Sequence, residues 1–443
     1  MMTTITAVNV QDIRVPTSDK LLGSDPFHKK PDYSAVLTTL ESSSGNQGIS
    51  IVFTCGAGND WIAYGINQLI PLVQNKSLGV FIENPSEIYQ TILNHHQLRW
   101  LGDGVFRMAM GGMINAMWDL WAKEVKKPMW KLLVDLPPET VVGCIDWRHL
   151  EDALSRQEAL AILEKSQSKK SAFEERLKET GVKAYSTAGW LGLTDRKILE
   201  KINELKANGF DAFKLKVGQD IKFDKARIQF IREAIGPDVK LMLDANQFWG
   251  VDEAIAYMKK LADFEITWIE EPTARDDVMG FKRISEALNP LGLKLAAGEQ
   301  IQSPVIFKQM ISSGAIQFAQ IDACRMGGVN DVMAVILLAS KYDVPVCPHG
   351  GGIGLCNMIR HLAVWDQVSV AGHSNTQWVE YIDFLQEGVF EIPVEISNGA
   401  YVLPTNLGWG LEVEQKFLNK HLYPIGSVWR DRDKPSDVTF IAE

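Results

Sequence analysis

The chain has 443 residues, 46% of them hydrophobic and 23% charged, an ordinary balance for a globular protein with a large core. Its 45 Lys and Arg against 55 Asp and Glu give a formal net charge of −10, which argues against a nucleic-acid partner, because phosphate-backbone binding depends on clustered basic groups. The five cysteines are widely spaced with no CxxC pair, so neither a disulfide framework nor a structural zinc is expected, and the cytoplasm or another reducing compartment is the expected setting.

The N-terminus alternates like a strand and lacks the layout of a signal peptide, and no stretch is apolar for long enough to span a bilayer, so no membrane partner is expected. Residues 3–15 and 33–41 read as strands split by a polar loop, 18–31, that holds Gly23, Asp25 and Pro26. Asn46-Gln47-Gly48 marks a turn before the apolar run 49–54. Cys55-Gly56-Ala57-Gly58 is faintly like a glycine-rich nucleotide loop, but it lacks a third glycine and a following helical pattern, and reads as a turn. A helix is expected over 107–126, with Met110, Met113, Ile114, Met117 and Trp121 as a core-facing stripe. Residues 1–139 thus read as an α+β domain, with the run DLPPET at 135–140 as its linker. The basic stretch 165–170, followed by Glu174 and Glu175, reads as a solvated helix face.

From about residue 182 the pattern becomes rhythmic. Strands are expected at 182–187, 212–217, 239–244, 267–270, 293–298, 316–322, 344–348 and 377–381. Helices are expected at 195–208, 224–235, 252–261, 276–288, 303–313 and 329–341, many opening with an Asp or Ser suited to cap them. Alternating strands and helices point to a parallel sheet, and eight strands favour a closed (β/α)8 TIM-type barrel, placed here at 140–389. Residues 390–443 are irregular and are expected to pack back on the first domain, completing an α+β cap.

In such a barrel the chemistry sits at the C-terminal strand ends. The second strand ends Lys214-Leu215-Lys216, so both lysines share one face. Two inward lysines are costly unless something anionic is near, and their repulsion with desolvation would lower one pKa enough to make a base; two lysines on an exposed edge are the alternative. The third strand delivers Asp244 and Asn246, the fourth Glu270 and the fifth Glu299. Any one of these acids alone reads as a cap or a solvated loop residue. Three on successive strands repel unless a cation holds them, and an oxygen-only set selects Mg²⁺ over Zn²⁺. Glu271 points opposite to Glu270 and is expected to make a supporting salt bridge or hydrogen bond.

Asp322 ends the sixth strand and His349 the seventh, and a lone His beside glycines would be an ordinary loop residue. With Asp322 one strand earlier, a hydrogen-bonded dyad is expected, the carboxylate fixing the imidazole tautomer. Gly350–Gly354 would let substrate approach the backbone, and Glu380, ending the eighth strand, would contact substrate or a leaving group. A Mg²⁺ beside a substrate carboxylate stabilises the enediolate left when the neighbouring C–H is deprotonated. Lysine and histidine can then act as base and acid. A hydroxyl on the next carbon makes the outcome dehydration, and without one it is racemisation.

The runs KLKVG, LMLDANQ, WIEEP, AAGEQ, QIDACRMGGVN and CPHGGG, with NAMWDLWAKEVKKPMWKLL in the first domain, resemble the mandelate racemase-like branch of the enolase superfamily. Within it, the runs RVPTS, PDYSAV, QLRWLG, CIDWR and PVCPHGGGIGLCNM are most similar to the L-fuconate dehydratases. The resemblance covers nearly the whole chain. It implies Asp244, Glu270 and Glu299 as Mg²⁺ ligands, Lys216 as the base at C2, and His349, held by Asp322, as the acid expelling the C3 hydroxyl. It also implies that Lys214 steadies the substrate carboxylate, that Asn246 supports the site, and that Gly23, Ser24, Asp25 and Tyr33 contact distal hydroxyls. The implied product is a 2-keto-3-deoxy sugar acid, and the implied assembly a homo-oligomer. The chain departs from the family pattern at Ser186–Gly189, Gln302–Pro304, Ala371–Thr376 and Phe384, which bears on the identity of the sugar acid more than on the reaction. A dehydratase, epimerase or racemase for another sugar acid, and a catalytically silent barrel that binds a metabolite or protein, are the alternatives.

Overall fold

Three antiparallel strands, β1 (Ile5–Arg14), β2 (Ser34–Ser42) and β3 (Gln47–Thr54), pair in that order at the N-terminal end of a computed structural model that describes residues 3–372, 377–430 and 432. The helix Val105–Glu124 packs across β3; Met110, Met113, Ile114, Met117 and Trp121 are buried, but so is every residue from Arg107 to Lys123, so the helix is enclosed on all sides and not along one stripe. Asp119 pins this layer together: its carboxylate accepts from Ile49 N at 2.7 Å and Trp409 N at 2.6 Å and pairs with Lys123 at 2.7 Å.

Three sequence expectations for this part need correction. A helix does follow Gly58, namely Asn59–Val73, with Ile62, Ile66, Leu69 and Val73 buried at helical spacing. The expected linker is partly helical, since Pro138 opens the helix Pro138–Gly143. The basic stretch at 165–170 straddles the break between helices Arg156–Gln167 and Lys170–Thr180, and Lys170 donates to Val134 O at 2.8 Å instead of facing solvent throughout.

The second sheet is the barrel. Strands β4 (Val182–Gly189), β5 (Ala212–Lys216), β6 (Lys240–Asp244), β7 (Ile266–Glu270), β8 (Leu295–Ala297) and β9 (Phe318–Ala319) run parallel in that order, and β10 (Val379–Tyr381) returns to pair with β4. The seventh position is held by a segment with one bridge, Ala319 to Val346, and not by a regular strand. Pro345 and Pro348 remove two donors there. The ring still closes, because Cys347 N donates to Ala319 O, His349 N to Ile321 O and Glu380 N to Pro348 O.

One apolar layer fills the barrel below the site, with one buried residue from each position: Tyr185, Ala212, Met242, Trp268, Ala296, Phe318, Cys347 and Trp378. Side chains alternate along a strand, so two residues further on each chain turns a polar group inward: Thr187, Lys214, Asp244, Glu270, Gln320, His349 and Glu380. The exception is β8, where Gly298 takes φ +146 and a Cβ on it would lie 2.4 Å from Gln320 O. This break in the alternation delivers Glu299, three residues after Ala296.

Ser303 caps its helix as expected, whereas Thr194, Asp220 and Asp277 cap theirs in place of Asp195, Asp224 and Asp276. The residues after Val389 contact both layers. The hairpin of β11 (Ile396–Ser397) and β12 (Ala400–Tyr401) adds to β4, while Tyr423 N donates to Asp12 O on β1. No helix of the described residues is long and apolar enough to cross a membrane.

Candidate active site

The register of the barrel sets the site. Lys216 stands opposite Asp244, and Asp244 opposite Glu270. Carboxylate oxygens of Asp244, Glu270 and Glu299, all buried, lie within 4.8 Å of one another. Lys216 Nζ donates to Asp244 at 2.5 Å. Lys214 pairs with Glu270 at 2.7 Å and Glu380 at 3.0 Å, and lies 3.4 Å from Asp244. Gln320, to which sequence reasoning assigned no role, donates to Glu270 at 2.6 Å.

Even with two lysines present, this cluster is short of positive charge. Burial and the neighbouring Asp244 push Glu270 up to about 8. Burial also pushes Asp244 upward, but Lys216 and Lys214 outweigh it and hold that carboxyl below its usual range. The lysines go the opposite way from the sequence expectation. Burial lowers both, yet Asp244 at Lys216 and Glu270 at Lys214 overcome burial and mutual repulsion, so both ammonium groups are raised. Three converging buried carboxylates with no His or Cys among them fit a hard divalent cation of the Mg²⁺ kind.

His349 Nδ1 lies 2.8 Å from Asp322 Oδ2, and its Nε2 is 3.2 Å from Glu299. Asp322 is itself fixed by Cys324 N, which donates to Oδ1 at 2.6 Å. Burial pulls the imidazole down, but Glu299 and Asp322 push it up to about 9. Glu380 accepts from Thr187 and from Gly350 N, and Lys214 and His349 hold it down to about 2 against the effect of burial.

A cavity of about 340 Å³ opens over these groups, lined by Lys216, Asn246, Glu299, His349 and Glu380 from the barrel and by Asp25 and Tyr33 from the first domain. Lys214, Gly23 and Ser24 do not line it. Lys214 lies beneath, spent on carboxylates. Gly23 packs against Tyr33, where a Cβ would come within 2.0 Å of the ring. Ser24 donates to Leu21 O and accepts from Gly192 N, holding the loop on the barrel. Of the expected glycines, Gly351 reaches the cavity. Glu271 reaches it too and accepts from Gln247 Nε2 at 2.8 Å, the hydrogen bond expected of it; among the described residues its other oxygen has no hydrogen-bond partner, and neither has Asn246 Oδ1. Asn246, Gln247 and Glu271 all sit at positive φ, strain concentrated beside the carboxylates.

Several lining residues had no sequence signal. Phe53 and Cys55 arrive from the end of β3, with Phe53 stacked on Tyr33 at 5.3 Å and its carbonyl held by Arg325 at 2.8 Å. Trp190 follows β4 and lies 5.4 Å from Lys216 Nζ. Phe384, one of the departures noted above, backs Tyr33 and Trp190 edge-on at 5.8 and 6.0 Å. In the departing run 371–376, His373, Ser374, Asn375 and Thr376 lie outside the described residues.

A two-layer cap over a parallel barrel, with a carboxylate triad, inward lysines and a His–Asp pair at the strand ends, is the architecture of the enolase superfamily, and the chain belongs to it. A family model described as enolase C-terminal domain-like matches residues 197–417. Over its length the chain is similar to mitochondrial enolase superfamily member 1 of Bos taurus, at 43% identity covering 96% of this chain and 97% of that one. It is also similar to the L-galactonate dehydratase of Hypocrea jecorina, at 43% identity covering 95% and 94%. The crystal structure of human mitochondrial enolase superfamily member 1 superimposes with a TM-score of 0.95 at 42% identity, covering 97% of this chain and 98% of that one.

Proposed function

We propose that the protein dehydrates a six-carbon sugar acid, with Mg²⁺ held by Asp244, Glu270 and Glu299. The observation that carries this reading is that Lys216 and the Asp322-held His349 line the same cavity as Glu299. Mg²⁺ held there would supply positive charge beside the substrate carboxylate and offset the negative charge of the carboxylate triad. Lys216, in its neutral form, takes the proton from C2. His349, protonated through its carboxylate neighbours, gives its Nε2 proton to the C3 hydroxyl, which leaves as water. Asp322 holds the ring by Nδ1 throughout. Lys214 keeps Glu270 and Glu380 in place, a supporting role in place of the substrate contact expected of it.

L-Fuconate is the leading substrate by the motif resemblance. L-Galactonate, named for the Hypocrea jecorina relative, carries the same configuration with an added hydroxyl on C6, so both belong in the test. Purified protein with Mg²⁺ is presented with a panel of sugar acids, and product is read as 2-keto-3-deoxy acid by its reaction with semicarbazide. Turnover that EDTA abolishes supports the proposal. An isomerised acid with no keto product replaces it with epimerisation, and binding without turnover replaces it with a silent barrel.

A further inference from the structure

The proposed reaction accounts for the floor of the cavity but leaves its mouth unassigned. Asp25 was expected to contact substrate, yet its carboxylate is occupied. Oδ1 accepts from Phe27 N at 2.8 Å and His28 N at 2.7 Å, and Oδ2 takes His28 Nδ1 at 3.0 Å. Asp25 N in turn donates to His28 O at 3.0 Å, closing a tight loop. Burial pushes the Asp25 carboxyl up, but the hydrogen bond from His28 and the charges of Lys216 and His28 together hold it below its usual range. Asp25 is therefore chiefly an anchor, with three of its about four acceptor sites taken inside the loop.

The other end of that pair is free. The His28 ring lines the cavity, and with Nδ1 turned to Asp25 its Nε2 makes no hydrogen bond among the described residues. The loop that carries it is docked on the barrel at three places. Ser24 holds Gly192, Pro26 sits over Gly218, and Phe27 packs edge-on against Phe248 with centroids 5.4 Å apart. Beside Asp25 and Cys55, the rest of the loop-side wall is aromatic, formed by Phe27, Tyr33 and Phe53. The His28 side chain is 54% exposed, so water meets Nε2 in the free protein; its Nδ1 pairing with Asp25 fixes the ring, and a hydroxyl that arrives there replaces that water without reordering the side chain.

We infer that His28, oriented by Asp25, reads a hydroxyl at the far end of the sugar acid, on C5 or C6, through Nε2. The inference rests on the proposed sugar-acid reading and names the group that sets substrate length and polarity. A carboxylate-held Nδ1–H leaves Nε2 to meet a hydroxyl, either accepting its proton or, when the ring is protonated, donating to its oxygen.

The test compares wild type with His28→Ala and His28→Gln on L-galactonate and on a four-carbon acid that keeps the configuration at C2 and C3 but lacks C5 and C6. One hydrogen bond corresponds to a change of up to about tenfold. The expected result is a rise in KM of up to about tenfold on L-galactonate for His28→Ala with kcat nearly unchanged, recovery of part of it in His28→Gln, and a loss at least fivefold smaller on the four-carbon acid. Equal losses on both acids would show a merely structural loop residue, and no loss on either would show no contact; each overturns the inference. Calorimetric binding of the two acids to Lys216→Ala protein, with and without His28→Ala, separates this from the proposed function. If nothing is dehydrated but His28→Ala still weakens L-galactonate alone, the reaction reading fails and His28 stands. If it weakens both equally or neither, His28 fails as well.

Discussion

His349 and Asp322 end adjoining positions of the barrel with Nδ1 and Oδ2 2.8 Å apart, and His349 Nε2 is left facing Glu299 and the cavity. That arrangement separates holding the ring from using it: one nitrogen is fixed by the dyad and the other is free to transfer a proton. Replacing Asp322 by Asn keeps the shape but removes the charge that holds the tautomer and favours the imidazolium. The expected outcome is a kcat loss of about 10²–10⁴ with KM within a few-fold, checked by steady-state kinetics.

The carboxylate triad makes a prediction that needs no substrate. A ligand that binds only the folded state raises its stability by RT ln(1 + [L]/Kd), about 2.7 kcal/mol at one hundred times Kd. Mg²⁺ is expected to raise the melting temperature of the wild type, EDTA to reverse this, and Glu270→Gln or Glu299→Gln to remove the response. A differential scanning measurement with and without Mg²⁺ checks it.

The barrel floor predicts a stability effect remote from the chemistry. Trp268 is fully buried, with Phe318 at 4.8 Å, Tyr185 at 5.6 Å and Trp378 at 6.2 Å between centroids. Trp268→Ala leaves a cavity in a layer that the strand backbones hold open, and the expected loss is about 3–5 kcal/mol, read from urea denaturation.

His421 ties the helix Gln415–His421 to β1 through Arg14 O at 3.2 Å. Burial, with Lys420 beside it, lowers its pKa to about 4. A histidine whose folded pKa is depressed stays neutral where the unfolded chain takes up a proton. Its contribution to stability is therefore full above about 6.5 and is lost as pH falls from there toward 4. His421→Gln is expected to flatten that acid limb, by on the order of 1 kcal/mol after allowing for solvent near the ring. Urea midpoints at pH 5 and pH 7.5 for both proteins check the sign.

Much of the site was legible because a β-strand has a period of two. Once Lys214 and Lys216, or Asp244 and Asn246, are placed at a strand end, their shared face follows, and Glu270 and the dyad come from the same rule applied along the chain. The glycine that breaks the rule, Gly298, was not legible, since its φ depends on how close Gln320 O approaches. The seventh strand was overread because Pro345 and Pro348 deny it a ladder. The cap contacts were least legible. Phe53 and Cys55 reach the cavity only because a separate sheet packs on the barrel mouth, and nothing in their local sequence marks them. Asp25 and His28, which both line the cavity, lay in a stretch marked as a loop, but which of their polar atoms stays free is set by hydrogen bonds within the loop.

The most direct test of the account is the fate of the C2 proton in D₂O with Mg²⁺ and L-fuconate or L-galactonate, comparing His349→Asn with Lys216→Ala. With Lys216 as base and His349 as acid, His349→Asn should exchange C2–H for deuterium without forming keto product, and Lys216→Ala should do neither. Exchange that survives in Lys216→Ala and vanishes in His349→Asn would contradict the assignment and make the histidine the base.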